Sequence, residues 1–258
     1  GLEEIENSAG ISYLPGQTRD KSVATLVAAL NAAGGTWAYV PSPTVVPSSE
    51  DVIRTAFVYN PTRVAPLGRS SIDLADAFAN ARYPLAQKFK ALKAGKPFVL
   101  VTNHFKSKGS GADDGTGQGL SNPSREAQAS QLTGWVDELF PDEAVLLIGD
   151  FNSYAKETPV QLIEGAGYTN LAKTFDPGST SYQFSGRLGS LDHAFANARA
   201  LQLVVGASVW DINADESVAL QYSRRNDNLV DFFAATPYAA SDHDPVVVGL
   251  DVTGRRSH

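Results

Sequence analysis

Cysteine and methionine are both absent from this sequence of 258 residues. Without cysteine the chain can form no disulfide, no thiolate nucleophile and no Cys-ligated zinc site. The lack of cysteine suits an exported protein and a cytosolic protein equally well. Because position 1 is Gly rather than Met, we expect a processed or truncated product rather than a chain beginning at a translational start.

Long apolar runs and an excess of positive charge are lacking as well. No run approaches the roughly 20 apolar residues of a membrane helix, and no basic segment with an apolar core opens the chain, so no membrane span is expected. The net charge of -7 and the pI of about 5.1 argue against a broad basic face that coats nucleic acid. They still allow an enzyme that meets a phosphodiester through bound cations and a few Arg or Lys residues.

The composition that is present, 43% hydrophobic and 19% charged, is that of a well-packed globular protein. Apolar periodicity predicts helices over 19–33, 124–140 and 158–165. Strands are predicted over 1–5, 37–40, 53–59, 98–102, 144–148, 181–184, 191–195, 203–210 and 246–252. Since no linker or shift in composition divides the chain, we predict one domain, 1–258, with mixed sheets and outer helices.

The stretch Ser-Asp-His-Asp-Pro at 241–245 precedes an apolar, strand-like run. Asp242 offers a carboxylate of the kind that holds a hard divalent cation. His243 can transfer a proton near neutral pH. An Asp before Pro is also ordinary turn chemistry, so the stretch needs support from elsewhere.

Three further polar groups lie at the ends of predicted strands, the edge that active sites of layered α/β folds favour. His104 and the pair Asp150 and Asn152 follow continuous apolar runs, and Asp192 begins a strand. Asp150 and Asn152 would point to the same side if the extended geometry persists, which suits Mg²⁺ or a phosphoryl oxygen. The alternatives are a core histidine satisfied by backbone groups and an Asx-turn.

The four histidines support a functional interpretation. Three of them, His104, His193 and His243, lie in these stretches, and the fourth, His258, ends the chain. Because neighbouring residues of a strand point to opposite faces, His193 is predicted to be structural if Asp192 faces the site.

Taken in chain order, the motifs resemble the endonuclease/exonuclease/phosphatase superfamily, with its deoxyribonuclease-I-like fold. They are most similar to its bacterial extracellular nuclease branch. The motifs are Gly-Leu-Glu-Glu-Ile-Glu-Asn at 1–7, Arg-Tyr-Pro-Leu-Ala-Gln at 82–87, Asn-His-Phe-Lys-Ser-Lys-Gly at 103–109, Gly-Gln-Gly at 117–119 with Arg125, Trp-Asp-Ile-Asn-Ala-Asp-Glu at 210–216, and the stretch 241–245.

The resemblance implies an α/β fold of four layers, an α/β/β/α sandwich with two mixed β-sheets. It implies metal-binding carboxylates (Glu4, Asp242 and Asp150), active-site histidines (His104 and His243), an orienting or activating carboxylate (Asp192), a group that handles the second metal or scissile phosphate (Asn152, beside Asp150), and a phosphate-contacting arginine (Arg82). Glu3 and Glu6 are expected to be solvated. Lys106 and Lys108 could follow a DNA backbone or be solvated.

The implied function is a secreted bacterial enzyme, acting as a monomer, that hydrolyses DNA phosphodiester bonds with Mg²⁺ or Mn²⁺. Ca²⁺ is a further possibility at the Asp-Asp-Gly segment 113–115. Which histidine is acid and which is base stays open. The alternatives are a phosphatase or phospholipid phosphodiesterase of the inositol phosphate or sphingomyelin type, and a non-catalytic binding module that has kept the scaffold.

Two structural expectations also follow from the resemblance. Helix propensity favours a helix over 85–92, whereas the resemblance predicts a strand there. The family domain opens with a central strand before its Glu motif, so we expect a few tens of residues before Gly1 and a weak metal site without them.

Overall fold

The structure, a computed structural model, describes residues 1–10, 16–93, 95–221 and 229–253. Its helices are α1 (Lys21–Ala32), α2 (Asn122–Leu139), α3 (Thr158–Gly165), α4 (Leu171–Phe175) and α5 (Ala198–Leu201). Its strands are β1 (Leu2–Glu6), β2 (Ala38–Tyr39), β3 (Ile53–Ala56), β4 (Val58–Tyr59), β5 (Val64–Ile72), β6 (Arg82–Ala91), β7 (Phe98–His104), β8 (Val145–Asp150), β9 (Thr169–Asn170), β10 (Tyr182–Phe184), β11 (Arg187–Gly189), β12 (Asp192–Ala196), β13 (Val204–Val209) and β14 (Val246–Leu250).

A six-stranded mixed sheet, in the order β5-β6-β7-β8-β12-β9, forms the centre of the fold. β7 and β8 are parallel and are joined by the crossover helix α2, whereas the other neighbours are antiparallel. In this register Asp150 lies opposite His104 on one side and opposite Asp192 on the other. Three predicted site residues therefore lie side by side at one edge of the sheet.

The central sheet has a different covering on each face. On one face, α2 and α3 pack against a core that includes Leu132, Val136, Ile163 and Phe151. On the other face lie the antiparallel pairs β1–β3, β2–β4 and β13–β14, with α1 outside β1 and β2. These four layers agree with the predicted α/β/β/α sandwich. The second layer consists of separate antiparallel pairs over the described ranges, and a strand before Gly1 stays a prediction.

The conflict over 85–92 is resolved in favour of the strand. β6 spans Arg82–Ala91 and pairs on both sides, with β5 and with β7. Its pairing and burial outweigh the helix propensity of its Ala, Gln, Lys and Leu residues.

Sequence patterns missed β5, which contains Pro66 and Gly68. It is an edge strand, where a proline is tolerated, and its pairing shifts beside Gly68, which has a φ of 71°.

None of the helices in the described ranges is long and apolar enough to cross a membrane.

Candidate active site

His104 ends β7 with its imidazole buried. Its Nδ1–H donates to the backbone carbonyl of Glu3 at 3.2 Å, so Nε2 carries the lone pair of the neutral ring. Nε2 lies 3.4 Å from Asp150 Oδ2 and 4.0 Å from Glu4 Oε1. Burial, reinforced by the charge of Arg82, lowers the pKa of His104 to about 3. His104 is therefore a neutral imidazole whose Nε2 lone pair faces the Asp150 carboxyl group and can accept a proton from it when that group is protonated.

Asp150 and Asn152 come together by a turn rather than by an extended strand. Asn152 has a φ of 47°, so the extended geometry expected for the pair does not persist beyond β8. Its backbone N–H donates to Asp150 Oδ1 at 2.7 Å, and its Nδ2 donates to Oδ2 at 2.9 Å. This Asx-turn fixes the carboxylate toward His104. Burial, followed by the charge of Asp192, raises the pKa of Asp150 to about 8.

Asp192 and His243 form the second pair of the site. His243 Nδ1–H donates to Asp192 Oδ2 at 2.7 Å, and Ser181 Oγ–H donates to the same oxygen at 2.7 Å. Burial alone would lower the pKa of His243, but the hydrogen bond to Asp192 and the charges of Asp192, Asp150 and Asp242 raise it to about 9. His243 is therefore protonated near neutral pH. Its hydrogen bond to Asp192 uses Nδ1–H and does not involve Nε2–H.

An aromatic ring supports His243 from one side. The centroid of the Tyr182 ring lies 4.5 Å from that of His243, with 32° between the planes. Tyr182 also forms a backbone bridge to His243. No sequence motif singled out Tyr182, although its alternation with Phe184 in a predicted strand was a signal for two rings on one face.

One cavity of about 260 Å³ joins the two pairs. It is lined by carboxylates and imidazoles from β1, β7, β8, β12 and the 241–243 loop (Glu3, Glu4, Asp150, Asp192, Asp242, His104 and His243) together with Leu2, Ile5 and Ser241. Six of the eight predicted site residues are thereby brought together. The remaining two, Arg82 and Asn152, do not line this cavity, and both donate a hydrogen bond to the carbonyl of Phe105.

Glu3 was expected to be solvated, and this was wrong. Its side chain is half-buried in the cavity and accepts a 3.4 Å hydrogen bond from Thr102 Oγ1. Burial, with a further contribution from the charge of Asp192, raises the pKa of Glu3. Exposure alternates along this part of β1, with Glu3 and Ile5 half-buried and Glu4 and Glu6 exposed, so Glu3 faces the protein rather than the solvent.

The donor set suits a hard divalent cation, because such ions bind several carboxylate oxygens. Glu4 and Asp242, both exposed at the mouth, and the buried Asp150 are the residues that would hold it. Over the described ranges, no three His, Cys, Asp or Glu side chains already converge on one point as a formed metal site. The fit to the ion rests on the carboxylate oxygens that these three residues offer.

Arg82 lies beneath the site in a buried position. Its Nη2 donates to the carbonyl of Phe105 at 2.9 Å, and its Nη1 lies 3.9 Å from Asp51 Oδ2. Its buried Nε has no hydrogen-bond partner. Burial lowers the pKa of Arg82, against the opposing charge of Asp150. The positive charge of Arg82 acts on Asp150 and favours its ionised form.

Two residues that the sequence did not assign hold the 241–245 loop. The buried Asp244 accepts through Oδ1 from the backbone N–H groups of residues 212, 213 and 214 at 2.9, 2.6 and 3.1 Å. Asn213 Nδ2 donates to the carbonyl of His243 at 3.0 Å, and its Oδ1 accepts from Ala240 N–H at 3.1 Å. The motif at 210–216, whose role sequence reasoning could not derive, thus positions the His243 backbone.

The structural role predicted for His193 is confirmed. Its buried ring lies between Asn170 Nδ2, 3.1 Å from Nδ1, and the carbonyl of Ser153, 2.8 Å from Nε2. Burial lowers the pKa of His193. The ring therefore ties the loop after β8 to β9 and does not reach the cavity.

The remaining candidates in the loops form hydrogen bonds within the protein. Lys106 Nζ donates to Ser110 Oγ, and Lys108 Nζ donates to Glu157. Asp113 and Asp114 each accept from the backbone N–H two residues ahead. The Asp-Asp-Gly segment is thus a pair of Asx-turns, and Ca²⁺ binding there stays a prediction.

The cavity thus brings together a neutral histidine beside a buried carboxyl group and an Asp–His pair, groups whose chemistry suits proton transfer. The sequence matches the endonuclease/exonuclease/phosphatase family over residues 18–243, and the chain belongs to that family. Members of this family are hydrolases that act on phosphoester bonds. A search of curated proteins found no match.

Solved structures share the fold at low sequence identity. A family protein from Bacteroides thetaiotaomicron is 16% identical, with a TM-score of 0.61 over 89% of this chain and 79% of that chain. A mannosyl-6-phosphatase of the same species is 15% identical, with a TM-score of 0.58 over 88% and 82%. TDP2 from D. rerio, complexed with a single-strand DNA product, is 13% identical, with a TM-score of 0.56 over 88% and 82%. Such likeness establishes the fold alone.

Proposed function

We propose that this protein is a secreted, divalent-metal-dependent nuclease of the bacterial extracellular branch that hydrolyses DNA phosphodiester bonds. The observation that carries the proposal is the cavity in which the Asp192–His243 pair faces the His104–Asp150 pair. Neighbouring structures include a DNA complex and a phosphatase, so the fold does not choose between substrates. The DNA substrate and the extracellular location rest on the resemblance of the motif set.

The two histidines have complementary states for in-line hydrolysis. His104 offers a lone pair at Nε2 and can accept the proton of the attacking water or share it with Asp150. His243, kept protonated by Asp192, can donate through Nε2–H to a phosphoryl or leaving-group oxygen. In this proposal His104 acts as base together with Asp150, because a ring whose pKa is lowered to about 3 is by itself a weak base, and His243 acts as acid. A cation held by Glu4 and Asp242 would stabilise the charge that develops on the phosphoryl oxygens.

Arg82 enters the proposal as the predicted phosphate-contacting arginine. Its buried position favours an electrostatic contribution from beneath the site, because Nη2 is held by Phe105. Asn152 contributes by orienting Asp150 through two hydrogen bonds. These two residues support the groups that line the cavity.

Plasmid digestion with Mg²⁺, Mn²⁺ or Ca²⁺, and with a chelator, tests the proposal. We expect nicking with Mg²⁺ or Mn²⁺, none with the chelator, and recovery when the metal is added back. Asp192→Asn is the matched inactive control, because it alters the site without changing side-chain size. Parallel assays for phosphate release from sugar and inositol phosphates and for phosphocholine release from sphingomyelin identify the alternatives. If the plasmid is not cut but phosphate or phosphocholine is released in one of those assays, the protein is a phosphatase or lipid phosphodiesterase rather than a nuclease.

A further inference from the structure

The hairpin formed by β10 and β11 carries two aromatic rings beside the candidate active site. Tyr182 pairs with Gly189 and Phe184 with Arg187, across a turn made by Ser185 and Gly186. Both turn residues have positive φ, 51° and 73°, which is the type I′ geometry that favours a tight two-residue hairpin. The turn therefore fixes the register, and with it the face to which each ring belongs.

The two rings continue a stack that begins at His243. The Tyr182 ring lies against the His243 imidazole, and the Phe184 ring is nearly parallel to the Tyr182 ring, at 12°, with their centroids 6.3 Å apart. Burial decreases outward along this series: Tyr182 is half-buried, whereas 62% of Phe184 is exposed. Phe184, the outermost ring, thus presents an open surface and is connected to His243 through Tyr182.

The two faces of the hairpin are chemically different. Tyr182, Phe184 and Arg187 share one face, because residues two apart and residues directly opposite project to the same side. The same face packs on Tyr154 at Gly189, where an added Cβ would lie 2.5 Å from the Tyr154 ring. Leu188 projects to the other face and is 56% exposed. Aromatic rings with an exposed cation on one face are suited to stacking a flat, anionic ligand.

We propose that Phe184, supported by Tyr182, is a stacking platform for a nucleobase next to the scissile phosphate of a single-stranded nucleic acid. The proposal rests on the proposed nuclease function and narrows its substrate class. In a duplex the base faces are already covered by neighbouring bases, so an unpaired strand supplies the free face that a side chain can stack upon. Arg187, opposite Phe184, is placed for the backbone phosphate of the same strand.

The variants are Phe184→Ala, Phe184→Trp and Leu188→Ala, the last being the matched control on the opposite face of the same hairpin. The substrate is a single-stranded hexamer with one hydrolysable phosphodiester, its other linkages being methylphosphonates. Versions with an abasic residue on the 5′ or the 3′ side of that bond remove one base at a time. Thermal unfolding checks that each variant keeps the fold.

We expect Phe184→Ala to raise KM for the normal hexamer by about 5- to 150-fold with little change in kcat, the range that follows from the loss of one base–aromatic stack. For the wild type, the abasic residue on one side of the bond should raise KM by the same factor as Phe184→Ala does. For Phe184→Ala, the same abasic residue should cause no further rise in KM. Phe184→Trp should restore KM, and Leu188→Ala should leave it unchanged. A fluorescent 2-aminopurine at that position should be quenched by the wild type and not by Phe184→Ala.

Failure of the platform is distinguishable from failure of the nuclease function. If the wild type cuts the hexamer and Phe184→Ala has the wild-type KM, the platform is refuted and the nuclease stands. If the wild type cuts neither hexamer nor plasmid, the nuclease function itself is refuted. Binding to phosphatidylcholine–phosphatidylglycerol vesicles that both Phe184→Ala and Leu188→Ala abolish would overturn the platform in favour of a lipid-inserting hairpin.

Discussion

Replacing Asp192 by Asn tests the Asp–His pair most directly, because the substitution keeps the side-chain shape and removes its charge. Asp192 Oδ2 accepts from both His243 Nδ1 and Ser181 Oγ at 2.7 Å. The rise of the His243 pKa from 6.5 to about 9 corresponds to about 3 kcal/mol in favour of the protonated ring. Without the carboxylate, burial is opposed only by the charges of Asp150 and Asp242, so the pKa of His243 should fall from about 9 toward its ordinary value of 6.5.

The sign of the pH dependence follows from this shift. His243 has a higher pKa in the folded protein than in the unfolded chain, so its stabilising contribution is complete below pH 6.5 and is lost as the pH rises through about 9. Asp192→Asn should abolish this part of the pH dependence of unfolding. It should also lower kcat/KM by about 10²- to 10⁴-fold, the usual effect of losing a general acid.

The measurements are titration of the His243 ring by NMR in chelator, urea unfolding below pH 6.5 and above pH 9, and plasmid nicking with Mg²⁺. Ser181→Ala is the control, since it removes one hydrogen bond to the same carboxylate and leaves the charge. It should keep the raised His243 pKa and lose about 0.5–1.5 kcal/mol at most. Wild-type kcat/KM in Asp192→Asn, or a His243 ring that still titrates near 9, would refute the reasoning.

Three further substitutions probe the remaining parts of the site. His104→Ala should lower kcat by about 10²- to 10⁴-fold with the fold preserved by circular dichroism, and wild-type cutting would remove it from the mechanism. Arg82→Lys should lower kcat/KM without unfolding the protein, because an ammonium group cannot contact Phe105 and the carboxylates as the guanidinium does; an unchanged kcat/KM would contradict its role. Asn213→Ala should lower kcat more than it changes KM, because it frees the His243 carbonyl, and an effect on melting temperature alone would make Asn213 merely structural.

The resemblance to the family and the strand-end positions of the polar groups could be predicted from local sequence. β7 and β8 are continuous apolar runs because both of their faces are buried, so their ends, and with them His104 and Asp150, are visible in the sequence. The alternation that separates Asp192 from His193 is equally local, and the structure confirms the buried, backbone-bound His193. These features depend on a residue and its immediate neighbours.

Other features depend on residues that are distant in the chain. The tautomer of His104 is set by a carbonyl of β1, at Glu3, and its pKa by burial between layers. Glu3 is half-buried because β1 packs against β7 and β8, where Thr102 donates a hydrogen bond to it. Packing between strands so distant in the chain has no local sequence pattern.

The support of His243 shows the same division between sequence and tertiary structure. The sequence marks Asp242 and His243 as candidates, but Asp244 acquires its role only when the loop 212–214 folds against it and supplies three N–H donors. The order of the sheet then decides the site, since pairing places Asp150 between His104 and Asp192 although they lie far apart in sequence. Local sequence therefore determined which groups could react, and tertiary packing determined their protonation, orientation and distance, because those properties depend on burial and on partners from other strands.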